Sequence, residues 1–213
     1  MTVRAYTRNE EIVHCATHAL GAIAILSLIP RLVLAAHSAG DAWRLVSGVV
    51  FAVSALLLLT SSIVYHAASG PVAKARLRKL DHSAIYVLIA GTYTPFALGV
   101  LRGGWGWSLF GIVWGLALAG VLAKTVFDFR SHVASTLLYL GMGWIGVIAA
   151  RPLMHVLTRH EQAWILAGGL AYTLGVPFYV WKQRAYTHAV WHVFVLAGIA
   201  CHSVAVLSVM TQT

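Results

Sequence analysis

Residues 45–65 read LVSGVVFAVSALLLLTSSIVY, a stretch without a single charged side chain. A helix of about 20 residues is what crosses a hydrocarbon layer roughly 30 Å thick. Nothing in that layer can hydrogen-bond an exposed backbone, so an isolated segment of this length in lipid must satisfy its own N–H and C=O groups as a helix. Five more runs without charge lie at 83–101, 105–123, 133–150, 162–181 and 188–210, and an earlier one, at 14–36, is interrupted by Pro30 and Arg31. All seven are long enough to span. The expected fold is therefore an all-α, seven-transmembrane helix bundle.

Composition agrees with this reading. Of 213 residues, 60% are hydrophobic and 10% charged, against about 25% charged in ordinary globular proteins. The connections are short and no internal repeat or low-complexity stretch is present, so residues 1–213 read as one transmembrane domain behind a short N-terminal segment of about 1–13. The first apolar run is too long for the core of a secretory leader and is expected to remain as a span. Cys15 and Cys201 fall toward opposite ends of their spans, which excludes a disulfide between them.

Cytoplasmic loops carry the excess of Lys and Arg. With the N-terminus inside, the inner set is Arg4, Arg8, Lys74, Arg76, Arg78, Lys79, Lys124, Arg130, Lys182 and Arg184, and the outer set is Arg31, Arg44, Arg102, Arg151 and Arg159. Ten against five predicts the N-terminus in the cytoplasm and the C-terminus outside. The net charge of +9 then reads as topology and attraction to anionic headgroups of the bilayer. It requires no nucleic-acid partner.

That topology gathers the polar residues. The seventh run opens with His188-Ala-Val-Trp-His192, two imidazoles one turn apart on one helix face, roughly 5 to 6 Å apart at Cβ. The second ends in Ser62-Ile-Val-Tyr-His66, followed by a basic loop at 74–79, and the third opens with Leu80-Asp81-His82-Ser83. Glu10, Glu11, His14 and His18 begin the first run at the same level. His202 lies 14 residues beyond His188, or ~21 Å along a helix axis, and reads as a buried hydrogen-bonding residue. His14 and His82 read as packing or headgroup contacts.

Three neutral imidazoles with one open position form the ligand set of a catalytic zinc, and His66, His188 and His192 supply them. Asp81 is the expected partner of a water in the fourth position, taking its proton and returning it to a leaving group. Ser62, one turn before His66, is placed to orient a ligand or bond a substrate carbonyl. Each residue also has an ordinary reading. H-x-x-x-H pairs occur as interhelical hydrogen bonds, Ser62 as a helix serine bonded to its own backbone, His66 as an interfacial histidine, and Asp81 as a helix cap. The conjunction on three helices at one depth favours the site. Ionisable residues inside a membrane are functional candidates by default.

The motifs Ser62-x-x-x-His66, Leu80-Asp81 with Gly91-Thr-Tyr-Thr-Pro95, and His188-x-x-x-His192 continuing to His202 resemble the three signature blocks of the hemolysin III proteins. These form the bacterial branch of the progestin and adipoQ receptor family. The resemblance runs from about Glu10 to Leu207. It implies a seven-helix fold with a cytoplasmic N-terminus in the bacterial inner (cell) membrane. It also implies a Zn2+ on His66, His188 and His192, and a zinc-bound water hydrogen-bonded by Asp81. The family is similar in its site to alkaline ceramidases, and its receptor members are thought to hydrolyse ceramide-like lipids. Its first span opens with Glu, two residues, Asn, three residues and His. Here Glu11 and His18 match, but His14 stands at the Asn position.

The expected function is hydrolysis of lipid amide or ester bonds in the cytoplasmic leaflet, with a membrane lipid as substrate. One alternative is a non-enzymatic regulator of membrane lipid composition with a structural zinc. The other is the pore or cytolysin that the family name suggests, against which the apolar outer halves of the spans argue. Gly111, Gly115 and Gly120 predict close helix contacts in the fourth run, within a monomer or between copies.

Overall fold

The computed structural model describes residues 4–129, 131–181 and 183–212; Arg130 and Lys182, counted above among the inner cations, lie outside them. The described residues form helices α1 (Arg8–Ser38), α2 (Ala42–Ala67), α3 (Pro71–Thr94), α4 (Gly104–Thr125), α5 (His132–Trp144), α6 (Ala150–Val156), α7 (Arg159–Val180) and α8 (Thr187–Thr211). A wide π-helical turn at Pro95–Val100 continues α3, and a 3-10 segment at Ile145–Ala149 joins α5 to α6. The result is seven helical spans, the third being Pro71–Val100 and the fifth His132–Val156. No strand occurs among the described residues. The chain is a multi-pass membrane protein.

Capping chemistry sets several starts. Thr7 and Glu10 form a reciprocal capping box at α1, as do Thr158 and Glu161 at α7, satisfying N–H groups that a helix start leaves unpaired. Asp41 caps α2 by accepting from the N–H groups of Trp43 and Arg44. Gly40 turns at φ +66 and Gly103 at φ +110, conformations that L side chains rarely adopt.

The basic stretch at 74–79 is helix, not loop. Pro71 occupies the first turn of α3, where its missing N–H costs nothing, and the Lys, Arg, Ala and Leu that follow are strong helix formers. Near the other end of this span Pro95 cannot donate to the ladder, and Leu101 N–H reaches back five residues to Phe96 C=O at 3.0 Å. The fifth span breaks where Gly141, Gly143 and Gly146 weaken it. Tyr93 holds the break, donating to Gly143 C=O at 2.6 Å and accepting from Gly146 N–H at 2.9 Å.

Helix α1 packs against α2 and α8, α2 against α3, α3 against α4, and α7 along α8. One apolar cluster fills the space among α1, α2 and α8 with Phe51, Leu59, Val206, Val209 and Met210. A second, around Tyr86, Val113, Ala117 and Met142, joins α3, α4 and α5. Outward-facing Val46, Val49, Val53, Leu57 and Val64 form a stripe along α2, the face a spanning helix gives to lipid. Gly120 makes the close contact expected of it, against the Tyr86 ring, whereas Gly111 and Gly115 have nothing within 4 Å of where a side chain would begin. Both cysteines are free.

The chain's two ends lie at opposite ends of the bundle. Where α8 finishes, the wholly buried Glu161 accepts from Ser208 Oγ at 2.8 Å and Gln212 Nε2 at 2.7 Å, and Arg44 donates to Gln212 C=O. Where α1 and α8 start, five histidines meet.

Candidate metal centre

Helix α1 brings Glu11, His14, Thr17 and His18 to the site, α2 ends there with Ser62 and His66, and α8 begins there with His188 and His192. His14, His18, His66 and His192 are buried, and His188 lies at the edge, partly exposed. The His18 and His192 rings stack at 3.7 Å with 10° between planes. His188 and His192 have centroids 4.7 Å apart, and each lies 5.2 Å from His66. Donor atoms of His66, His188 and His192 fall within 4.8 Å of one another, and so do those of Glu11, His14 and His66.

The hydrogen bonds fix how two rings are presented. His66 Nδ1 lies 2.6 Å from Glu11 Oε2. A carboxylate only accepts, so Nδ1 carries the proton and Nε2 keeps its lone pair. That Nε2 is buried with no partner. On α8, His192 Nδ1 lies 3.1 Å from Thr17 Oγ1. Thr17 points its own proton at the carbonyls of Val13 and His14, both at 2.9 Å. Its oxygen therefore accepts from His192, and Nε2 again keeps the lone pair. An outer hydrogen bond on one ring nitrogen with the other left bare is the arrangement of metal-ligating histidines. Lys74 holds the second Glu11 oxygen.

Five ring nitrogens, two on His14, two on His18 and one on His66, are buried without a hydrogen-bond partner. At about 1–3 kcal/mol for each unsatisfied polar group, such a cluster costs an appreciable part of a domain's stability of about 5–15 kcal/mol. A cation at its centre relieves the nitrogens it binds. The donor set is all nitrogen with one carboxylate behind it, which suits zinc.

Asp81 is 8% exposed in the interior of α3. It is outside both sets of close donor atoms, and its position within α3 overturns the reading of Asp81 as a helix cap. The Tyr65 and Tyr179 rings pack on the histidines, at 4.6 Å from His66 and 6.4 Å from His188.

Three participants escape sequence reading. His14 is wholly buried, its ring 4.5 Å from His66 and 4.9 Å from His188, which corrects its assignment to headgroup contact. Its full burial removes it from any headgroup. Thr17 holds His192, and no spacing along α1 reveals which helix it faces. Tyr6, ahead of α1, lies over the cluster, stacked on His188 at 5.3 Å and edge-on to His14 at 4.8 Å. Burial, reinforced by Tyr65 and Glu11, pushes its phenol well above the ordinary range. Glu10 fastens this end by accepting from Arg4, Thr7 and the Tyr186 N–H. His202 is remote from the cluster, its Nε2 donating to Ile165 C=O at 3.2 Å. A cavity of about 500 Å³ lined by Arg151, His155, Arg159 and Gln162 lies at the opposite end of the bundle and contains none of the site residues.

A multi-pass helical protein with a buried histidine cluster of metal-ligand geometry at one end of its bundle is the class defined so far. The chain belongs to the Haemolysin-III related family, whose model matches residues 6–203. It is 44% identical to the hemolysin-3 homolog of Bacillus subtilis (strain 168), over 92% of each chain. It is 43% identical to hemolysin-3 of Bacillus cereus, over 90% of this chain and 88% of that one. More distantly, it is 28% identical to the human monocyte to macrophage differentiation factor, a relative in the progestin and adipoQ receptor family, over 94% of this chain and 84% of that protein.

Proposed function

We propose that this chain is a zinc protein of the bacterial cell membrane that hydrolyses amide or ester bonds of membrane lipids at the cytoplasmic end of the bundle. The observation that carries the reading is the matched presentation of His66 and His192. On two different helices, a protein partner holds Nδ1 and leaves Nε2 free beside His188. A zinc ion bound by these three supplies Lewis acidity to a water or a substrate carbonyl.

The remaining steps belong to the protein. Glu11 and Thr17 hold the ligand rings in register. Asp81 takes the attacking water's proton and returns it to the leaving nitrogen or oxygen, and the Ser62 hydroxyl holds the carboxylate in place. The partly exposed edge at His188 is where a lipid enters from the bilayer. General acid–base groups contribute about 10²- to 10⁴-fold. An Asp81→Ala protein is therefore expected to keep its zinc and fold but release fatty acid from a ceramide-like lipid amide at least ~100-fold more slowly. Unchanged hydrolysis in the variant would exclude the assigned role, and no hydrolysis by either protein would exclude the enzyme.

One observation favours the second reading, a non-enzymatic regulator of membrane lipid composition with a structural zinc. A further imidazole, the buried His14, stands beside the three. The pore reading draws nothing from the packing, because Phe51, Leu59, Val206, Val209 and Met210 fill the space among α1, α2 and α8.

A further inference from the structure

The four rings of His14, His66, His188 and His192 have six pairwise centroid distances. These are 4.5, 4.9 and 5.2 Å from His14 to the other three, 5.2 and 5.2 Å from His66 to the α8 pair, and 4.7 Å within that pair. Six nearly equal edges describe a tetrahedron. Four imidazoles on a tetrahedral zinc, with Zn–N bonds of about 2.0–2.1 Å, place their ring centres about 5 Å apart. We infer that His14 is a fourth nitrogen ligand in this chain, closing the position that a three-histidine site leaves open.

The inference rests on the metal reading above and adds to it a residue at which this chain departs from the pattern its first span otherwise resembles. Neither His14 ring nitrogen has a hydrogen-bond partner, and the nearest charged atom, Glu11 Oε2, lies 3.7 Å from Nδ1, beyond hydrogen-bond length. One His14 nitrogen falls within 4.8 Å of donor atoms of Glu11 and His66, a set separate from that of His66, His188 and His192, so joining the α8 pair on one metal requires the His14 ring to turn about its side-chain torsions. Asparagine, with a shorter side chain and an amide in place of an imidazole, offers no such nitrogen.

A closed four-nitrogen shell is that of a structural site. In the resting chain water and substrate then reach the metal only when His14 withdraws, and the ligand acts as a gate. The full-length protein in detergent, loaded with cobalt in place of zinc, tests this by X-ray absorption and visible spectroscopy, with azide as the probe of an open position. Expected for the unaltered chain are four imidazole nitrogens and a visible spectrum that azide does not shift. His14→Asn is expected to retain one metal per chain, lose one imidazole from the shell and shift its spectrum with azide. Three imidazoles plus oxygen in the unaltered chain, with an azide-sensitive spectrum, would overturn the inference while leaving the metal centre intact. Failure of the unaltered chain to take up cobalt or zinc would overturn both. The measurement on the unaltered chain decides the matter even if the variant does not fold.

Discussion

His66 and His192 carry the same hydrogen-bond signature from different helices, and the partners that create it were unequally legible. Glu11 stands out in sequence as a carboxylate at the start of an apolar run. Thr17 does not, because a helix threonine bonded to its own backbone carbonyls is ordinary until the facing helix is known. His14 reads in sequence as a packing or headgroup contact for the same reason, since spacing places residues on a face but does not say what the face meets. Groups that orient a metal ligand are worth about 10- to 100-fold in metal affinity. Glu11→Ala is expected to weaken zinc binding by about that factor, measured by competition with a chelator, because it frees His66 to choose the other tautomer and leaves Lys74 without its anion. An unchanged affinity would remove Glu11 from the site.

At the scale of elements, the seven apolar runs predicted the seven spans, because exclusion of charge over about 20 residues is imposed by the bilayer itself. The ends were less legible. Charge exclusion reports where lipid stops, not where the helix does, so α3 begins at Pro71 rather than near position 83, and the fifth span runs past Arg151 to Val156. The π turn after Pro95 and the 3-10 break held by Tyr93 depend on contacts between spans. Glycine on α4 shows the same division. Gly120→Leu, driven into the Tyr86 ring, is expected to cost about 1–3 kcal/mol by overpacking, whereas Gly115→Leu, facing outward, should stay within about 0.5 kcal/mol. Thermal unfolding in one detergent compares them, and equal losses would contradict the assigned faces.

The turn ahead of α2 is also an element-scale device. Asp41 caps the helix and pairs with Arg102 beyond the third span. Burial alone would raise its carboxyl, but the Arg102 guanidinium and the N–H groups of Trp43 and Arg44 outweigh this and hold it below the ordinary range. A depressed carboxyl contributes its stability above the unfolded value of about 3.9 and loses it as pH falls through the folded one. Asp41→Asn keeps a competent cap but no charge. It is expected to be less stable than the unaltered chain near neutral pH, with the difference shrinking as pH falls below the unfolded value of about 3.9, by thermal unfolding across pH. A gap that persists in acid would assign the effect to packing.

For the molecule as a whole, the polar residues divide by end. Glu161, Gln212, Arg44, Asp41 and Arg102 lock one end of the bundle, five histidines and Glu11 occupy the other, and an apolar cluster fills much of the space among α1, α2 and α8 between them. Seven spans require the two chain ends to lie on opposite sides of a membrane, and in the function we propose the lysine and arginine bias puts the histidine end in the cytoplasm. A site there would face lipids of the inner leaflet. All of this rests on a metal held by His66, His188 and His192. Zinc per chain, measured on the purified protein and on His192→Ala, tests it most directly. The expected result is about one zinc in the unaltered protein and nearly none in the variant. A value well below one in the unaltered protein, or full retention in the variant, would contradict it.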